Sequence, residues 1–118
     1  MLASSDTTVY SWSYTHGQRS SSLGSGNPIV TNMNARSDED DLGAFRGHWS
    51  RTLRLSPGDQ RHLYISVGSA RNVDLDSYRS RIRRFDLSAA NAPFEFNTGE
   101  VYADGLRNEV GLAFDSAG

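Results

Sequence analysis

The chain has 118 residues, a formal net charge of −2, 36% apolar and 22% charged residues, and no cysteine. That length fits one thin-cored unit, burying only about two-thirds of the surface an unfolded chain exposes. Without cysteine there are no disulfides and no thiolate metal centres. A pI near 5.8 argues against nucleic acid or an anionic membrane as partner, since both call for a basic face.

Met1 to Asp6 lacks the basic and apolar regions of an export signal, and no run approaches a membrane span. The expectation is a soluble chain without its own signal. Short apolar or alternating runs then follow in order: TTVYSWSY, PIVTNM, TLRLS, HLYISVG, SRIRRFDL, GEVYA and EVGLAFD. Stretches rich in Gly, Ser, Asn, Asp and Pro separate them, the punctuation of an all-β chain. SPGDQR, Ser56 to Arg61, joins two runs with the turn chemistry of a hairpin. No segment holds a 3.6-residue period for three turns, so no substantial helix is expected.

Aligned against itself, Ser50 to Pro57 resembles Glu109 to Ser116 at an offset of about 59 residues. Asn27 to Val30 resembles the stretch from Thr98 to Tyr102 at about 72. The difference matches the acidic stretch from Asn34 to Gly47, which reads as an insertion. A repeat of this length with four short strands per unit is the pattern of a β-propeller blade. The expected division is residues 1–33 as the end of one blade, 34–47 as an inserted loop, 48–106 as one complete blade, and 107–118 as the first strand of the next. Pattern alone equally fits a single antiparallel sandwich or barrel.

Several side chains invite a functional reading. Asn72, Asp74 and Asp76 alternate like calcium ligands, but Ser77 and Arg83 occupy the positions where such a loop needs Gly and Glu; a polar loop is the simpler expectation. The run Asp38, Glu39, Asp40, Asp41 reads as a solvated insertion. Arg79, Arg81 and Arg83 share one face of a strand with Ile82 on the other, which predicts an exposed blade face. His16 and His62 read as surface residues, and Trp12, Tyr14, Tyr64 and Phe85 as packing between blades. His48, just before the TLRLS strand, is by itself an ordinary loop histidine.

Three stretches change that weighting. GHWSRTLRLS, LYISVGSARNVDLDSYRSRIRRFDL and GEVYADGLRNEVGLAFD, in this order and spacing, resemble the pyrroloquinoline-quinone (PQQ) dependent sugar dehydrogenases of the six-bladed glucose/sorbosone dehydrogenase type, nearest the fungal pyranose dehydrogenase branch. The resemblance implies an all-β chain, about one and a half four-stranded antiparallel blades of a six-bladed β-propeller. It implies a sugar substrate oxidised at the anomeric carbon, an electron acceptor such as a cytochrome domain or protein, and an extracellular location. His48 matches the family's general base, and Arg107 and Asn108 match the Arg-Asn pair lining the cofactor site. PQQ and calcium are the cofactors implied for the complete domain. The family's calcium is held largely by backbone carbonyls beyond this chain's last residue, so no metal ligand is assigned here. Ser69 stands where bacterial relatives carry an acidic residue to orient the histidine. The roles suit the side chains: a neutral imidazole accepts a hydroxyl proton near neutral pH, and an arginine fork suits carboxylates and quinone oxygens. The competing readings are a carbohydrate-binding propeller piece without catalysis and a truncated gene product.

Overall fold

The computed structural model describes residues 1–33, 47–75 and 79–116. Eight strands form two four-stranded sheets. The first contains β1 (Leu2–Ser4), β2 (Val9–Ser11), β3 (Asn27–Thr31) and the two-residue β7 (Phe94–Glu95), in that spatial order. The second is an antiparallel meander of β4 (Arg51–Leu55), β5 (His62–Val67), β6 (Arg81–Asp86) and β8 (Glu100–Asp104). One 3₁₀ turn, Phe96–Thr98, interrupts an otherwise all-β chain. Among the described residues no helix is long and apolar enough to cross a membrane.

The β4–β5 hairpin forms where its turn residues placed it. Gly58 takes φ +76°, the Asp59 carboxylate accepts from Arg61 N–H at 2.9 Å, and Ser56 N–H closes the turn on His62 O at 2.8 Å. Register then runs from Leu55 opposite Leu63 to Arg51 opposite Val67. β1 and β7 are additions to the expected set. Each is too short to show alternation, and β7 pairs parallel to β3 after a long excursion from β6. The first 33 residues thus hold three strands, where two were expected.

Alternation along β5 explains how the sheets stack. Leu63, Ile65 and Val67 point to the core with Val9, Val30, Met33, Phe85 and Phe96, so the second sheet buries its inner face against the first. Tyr64 and Ser66 point the other way and are buried too. There the segment after β8 covers them: Tyr64 meets Phe114 edge-on at 5.1 Å, and Thr52 Oγ1 donates to Glu109 O at 3.1 Å. Three layers result: first sheet, second sheet, covering segment. The EVGLAFD run, expected as a strand, joins no ladder among the described residues; side-chain and carbonyl contacts hold it to the sheet.

The arginine face expected to be exposed is not. Arg79 and Arg83 are each 5% exposed. Arg83 lies on the same face of β6 as Phe85, toward the core, and its Nη1 donates to Asn97 O at 3.0 Å and Gly99 O at 2.7 Å, with the guanidinium 5.3 Å from the Phe96 ring. A guanidinium held by two carbonyls and an aromatic face can be buried where a lone charge could not. Arg81 and Arg84 bind Asp104 and Glu100 on β8, crosslinking β6 to the edge strand. Tyr64 and Phe85 pack between layers, whereas Tyr14 is 49% exposed. The Asp38–Asp41 run and Asp76 lie outside the described residues.

Phe96 is fully buried where the two sheets and the Arg83 guanidinium meet. In the protein carrying all its blades, Phe96→Ala is expected to lower unfolding free energy by about 3–5 kcal/mol in denaturant melts, and a loss under about 1 kcal/mol would contradict this packing.

Candidate functional site

In an antiparallel meander, the start of one strand lies beside the end of the next. The residues preceding β4 and β6 and those following β5 and β8 therefore gather at one end of the second sheet. His48 stands there before β4, Gly68 and Ser69 after β5, Arg79 and Ser80 before β6, and Arg107 after β8. The backbone joins them directly: His48 N–H donates to Ser69 O at 3.0 Å, and Ser69 N–H donates to Arg107 O at 2.7 Å. Arg107, expected at the start of a new strand, follows β8 and is linked to His48 through Ser69.

Two glycines permit this closeness. A Cβ on Gly68 would lie 2.7 Å from His48 Cβ and 3.0 Å from His48 O, and one on Gly47 would lie 2.6 Å from Ala70 O. Any larger residue at either position would push the histidine away from the 68–70 turn. Arg51 fixes the next stretch. Its Nη1 donates to Ser50 O at 2.9 Å and His48 O at 3.3 Å, and its Nε to Asp6 O at 3.0 Å, tying the β1–β2 turn to the base of the histidine. Burial pulls the Arg51 guanidinium down to about 10, a fall opposed in part by the Asp6 charge, so it stays cationic near neutral pH.

The half-buried imidazole has a defined tautomer. Nδ1 lies 2.8 Å from Ser69 O and 3.1 Å from Ser69 Oγ. A carbonyl only accepts, and the Ser69 hydroxyl already donates to Arg71 O at 2.6 Å, so both contacts require hydrogen on Nδ1. The neutral ring then carries its lone pair on Nε2, which has no partner among the described residues. A serine backbone and hydroxyl thus orient the ring without a carboxylate, answering the question the sequence left at this position.

Arg107 is exposed and reaches the same loop. Its Nε and Nη2 donate to Asn72 Oδ1 at 3.1 and 2.6 Å. Four arginines of the second sheet and its loops meet carboxylates: Arg61 with Asp86, Arg79 with Asp74, Arg81 with Asp104, Arg84 with Glu100. Among the described residues Arg107 meets only this neutral amide. Asn108 is exposed, and its side chain makes no hydrogen bond among the described residues.

Asn72 and Asp74 do not converge as calcium ligands would. Asn72 faces Arg107, while Asp74 accepts from Ala70 N–H at 2.6 Å and from Arg79 Nε at 2.9 Å, in an ion pair whose side chains are each 6% exposed. That buried pair pins the loop bearing Ser69 and Asn72. No group of three His, Cys, Asp or Glu among the described residues is placed to hold a metal. A cleft of about 520 Å³ lies at the opposite end of the sheet between Leu2, Leu53, Leu55, Pro57 and Leu63. Arg54, Ser56 and Gln60 also line this opening, and no residue of the His48 cluster is in its walls.

Comparison with known proteins shows the family. The model of the TrAA12-like family matches residues 1–118. The chain belongs to the TrAA12-like family. It is 32% identical over 120 residues to a PQQ-dependent sugar dehydrogenase of Hypocrea jecorina, covering 95% of this chain and 26% of that protein. It is 31% identical over 126 residues to a PQQ-dependent pyranose dehydrogenase of Coprinopsis cinerea, covering 100% of this chain and 16% of the relative. Among solved structures, a Trichoderma reesei member of Carbohydrate-Active Enzymes Family AA12 superposes with a TM-score of 0.74 at 31% identity, over 93% of this chain and 26% of that one. The holo PQQ domain of the Coprinopsis cinerea pyranose dehydrogenase gives 0.73 at 28%, over 95% and 26%. The stack of sheets is therefore part of a β-propeller, and the chain spans about a quarter or less of its relatives.

The tautomer is directly observable. In ¹⁵N spectra of the neutral His48 ring, Nδ1 is expected to be protonated and Nε2 not. A spectrum showing hydrogen on Nε2 would contradict the Ser69 contacts.

Proposed function

We propose that this chain supplies the base-bearing rim of a PQQ- and calcium-dependent pyranose dehydrogenase propeller, oxidising a sugar at its anomeric carbon, and that the 118 residues alone are inactive. The observation that carries the reading is the convergence of His48 and Arg107 on one loop, with an unprotonated Nε2 and a cation that no described carboxylate neutralises. The donor set fits the cofactor: PQQ is an anion with three carboxylates, and Arg107 keeps N–H groups beyond the two donated to Asn72. Bound there, PQQ supplies a quinone that accepts hydride.

The chain's own part is proton and charge management. His48 Nε2 accepts the proton of the anomeric hydroxyl, and Ser69 holds the ring so that this nitrogen, not Nδ1, meets substrate. The resulting imidazolium is stabilised by the Ser69 carbonyl at Nδ1. Arg107 anchors an acidic group of the cofactor, and Asn108, exposed beside it, adds a neutral donor for oxyanion charge. Calcium ligands come from other parts of the complete domain. The proposed division keeps residues 48–106 as one blade, 1–33 as the end of the preceding one and 107–118 as the beginning of the next. By relationship the protein acts outside the cell on sugars and passes electrons to an acceptor such as a cytochrome domain.

In the full-length protein, His48→Ala is expected to lower turnover by roughly two to four orders of magnitude while PQQ affinity stays near normal. Arg107→Ala is expected to weaken PQQ about ten- to a hundredfold, with excess PQQ restoring much of the rate. Dye-reduction assays with aldoses across a PQQ titration separate the two. Near-normal turnover without His48 would remove it as the base, and sugar binding that survives His48→Ala and needs no PQQ would favour a non-catalytic carbohydrate-binding rim.

A further inference from the structure

The bond between Arg107 and Asn72 shows a choice of partner. Four arginines of this sheet and its loops are held by Asp or Glu, and those carboxylates neutralise the charge they orient. Arg107 is held by two N–H groups on one oxygen, but the oxygen belongs to a neutral amide. Asn72 is itself placed by the buried Asp74–Arg79 pair, which fixes the loop two residues away, and by the Ser69 hydroxyl bond to Arg71 O. The loop that sets the His48 tautomer therefore also sets the direction of the Arg107 fork.

We propose that Asn72 is a positioning residue for Arg107, a neutral holder that aims the guanidinium while leaving its full charge and its remaining N–H groups for an anionic ligand. The inference rests on the reading of Arg107 as a cofactor anchor and adds the residue that governs it. An ordinary structural role and a charge-preserving role give opposite rankings of two substitutions. Asp is nearly the same shape as Asn and accepts the same two bonds, so a structural contact tolerates Asn72→Asp and suffers from Asn72→Ala. A charge-preserving holder behaves the other way: Asp turns the pair into an ion pair and neutralises the anchor, while Ala only loosens it.

The test is PQQ binding to the full-length protein, read by fluorescence quenching, with thermal melts confirming that each variant is folded. Asn72→Asp is expected to weaken PQQ by about tenfold or more, and Asn72→Ala by only a few-fold. The double variant Asn72→Asp/Arg107→Ala is expected to bind no worse than Arg107→Ala alone, because Asn72 acts through Arg107. Weak binding by Arg107→Ala with normal binding by Asn72→Asp, or with Asn72→Ala the weaker of the two position-72 variants, overturns the proposal and leaves the cofactor reading intact. A further loss in the double variant also overturns it, because the new carboxylate would then be repelling the ligand directly. Unchanged affinity in Arg107→Ala overturns the cofactor reading of Arg107, and the role of Asn72 falls with it.

Discussion

Ser69 uses every polar group it has to hold the rim together. Its N–H is given to the carbonyl of Arg107, its carbonyl takes the backbone N–H of His48 and faces the Nδ1 edge of that ring, and its hydroxyl reaches Arg71 O. Two residues 59 positions apart in sequence are brought to one place by this single residue after β5. Because its bonds to His48 and Arg107 run through the backbone, the arrangement depends less on the side chain at position 69 than on the turn that carries it. That turn in turn depends on Gly68, whose missing Cβ lets the histidine approach, and on the Asp74–Arg79 pair that closes the loop behind it.

The rest of the fold makes this end rigid. β5 is the spine of the second sheet, buried on both faces, so its C-terminal turn projects from the best-packed strand of the chain. Functional groups on loops are accurate only when the scaffold beneath them does not move. Here the scaffold is layered: the first sheet covers one face, and the segment from Arg107 to Phe114 covers the other and brings the anchor arginine with it. Packing and site are consequently linked, because the residues after Arg107 that seal Tyr64 and Ser66 also fix where the arginine starts.

Local chemistry was legible in the sequence, and non-local partners were not. The SPGDQR hairpin follows from a Gly and an Asp acting within six residues, and the all-β class from alternation and punctuation, so both could be read from short windows. β1 and β7 have three and two residues, too few for a period, and exist because a neighbouring strand offers them a ladder. Arg79 and Arg83 looked exposed because strand alternation assigns faces but says nothing of the Asp74 carboxylate or of the Asn97 and Gly99 carbonyls waiting on the buried side. His48, Arg107 and Asn108 were found through family resemblance in three motifs, not through periodicity. Ser69 was noticed as the position where an orienting group was needed; that its backbone supplies it is visible only in three dimensions. Asn72 drew attention as a metal ligand because Asn and Asp alternate there, and its actual partner lies 35 residues away in sequence.

The account comes down to whether the His48 ring and the Arg107 fork, gathered by Ser69, face one bound ligand. A crystal structure of the complete propeller with PQQ is the direct measurement. An acidic group of the cofactor within hydrogen-bond distance of Arg107, with His48 Nε2 open toward the same cavity and Nδ1 still on Ser69, is the arrangement expected. Cofactor density away from Arg107, or a His48 ring turned so that Nε2 meets Ser69, would contradict it.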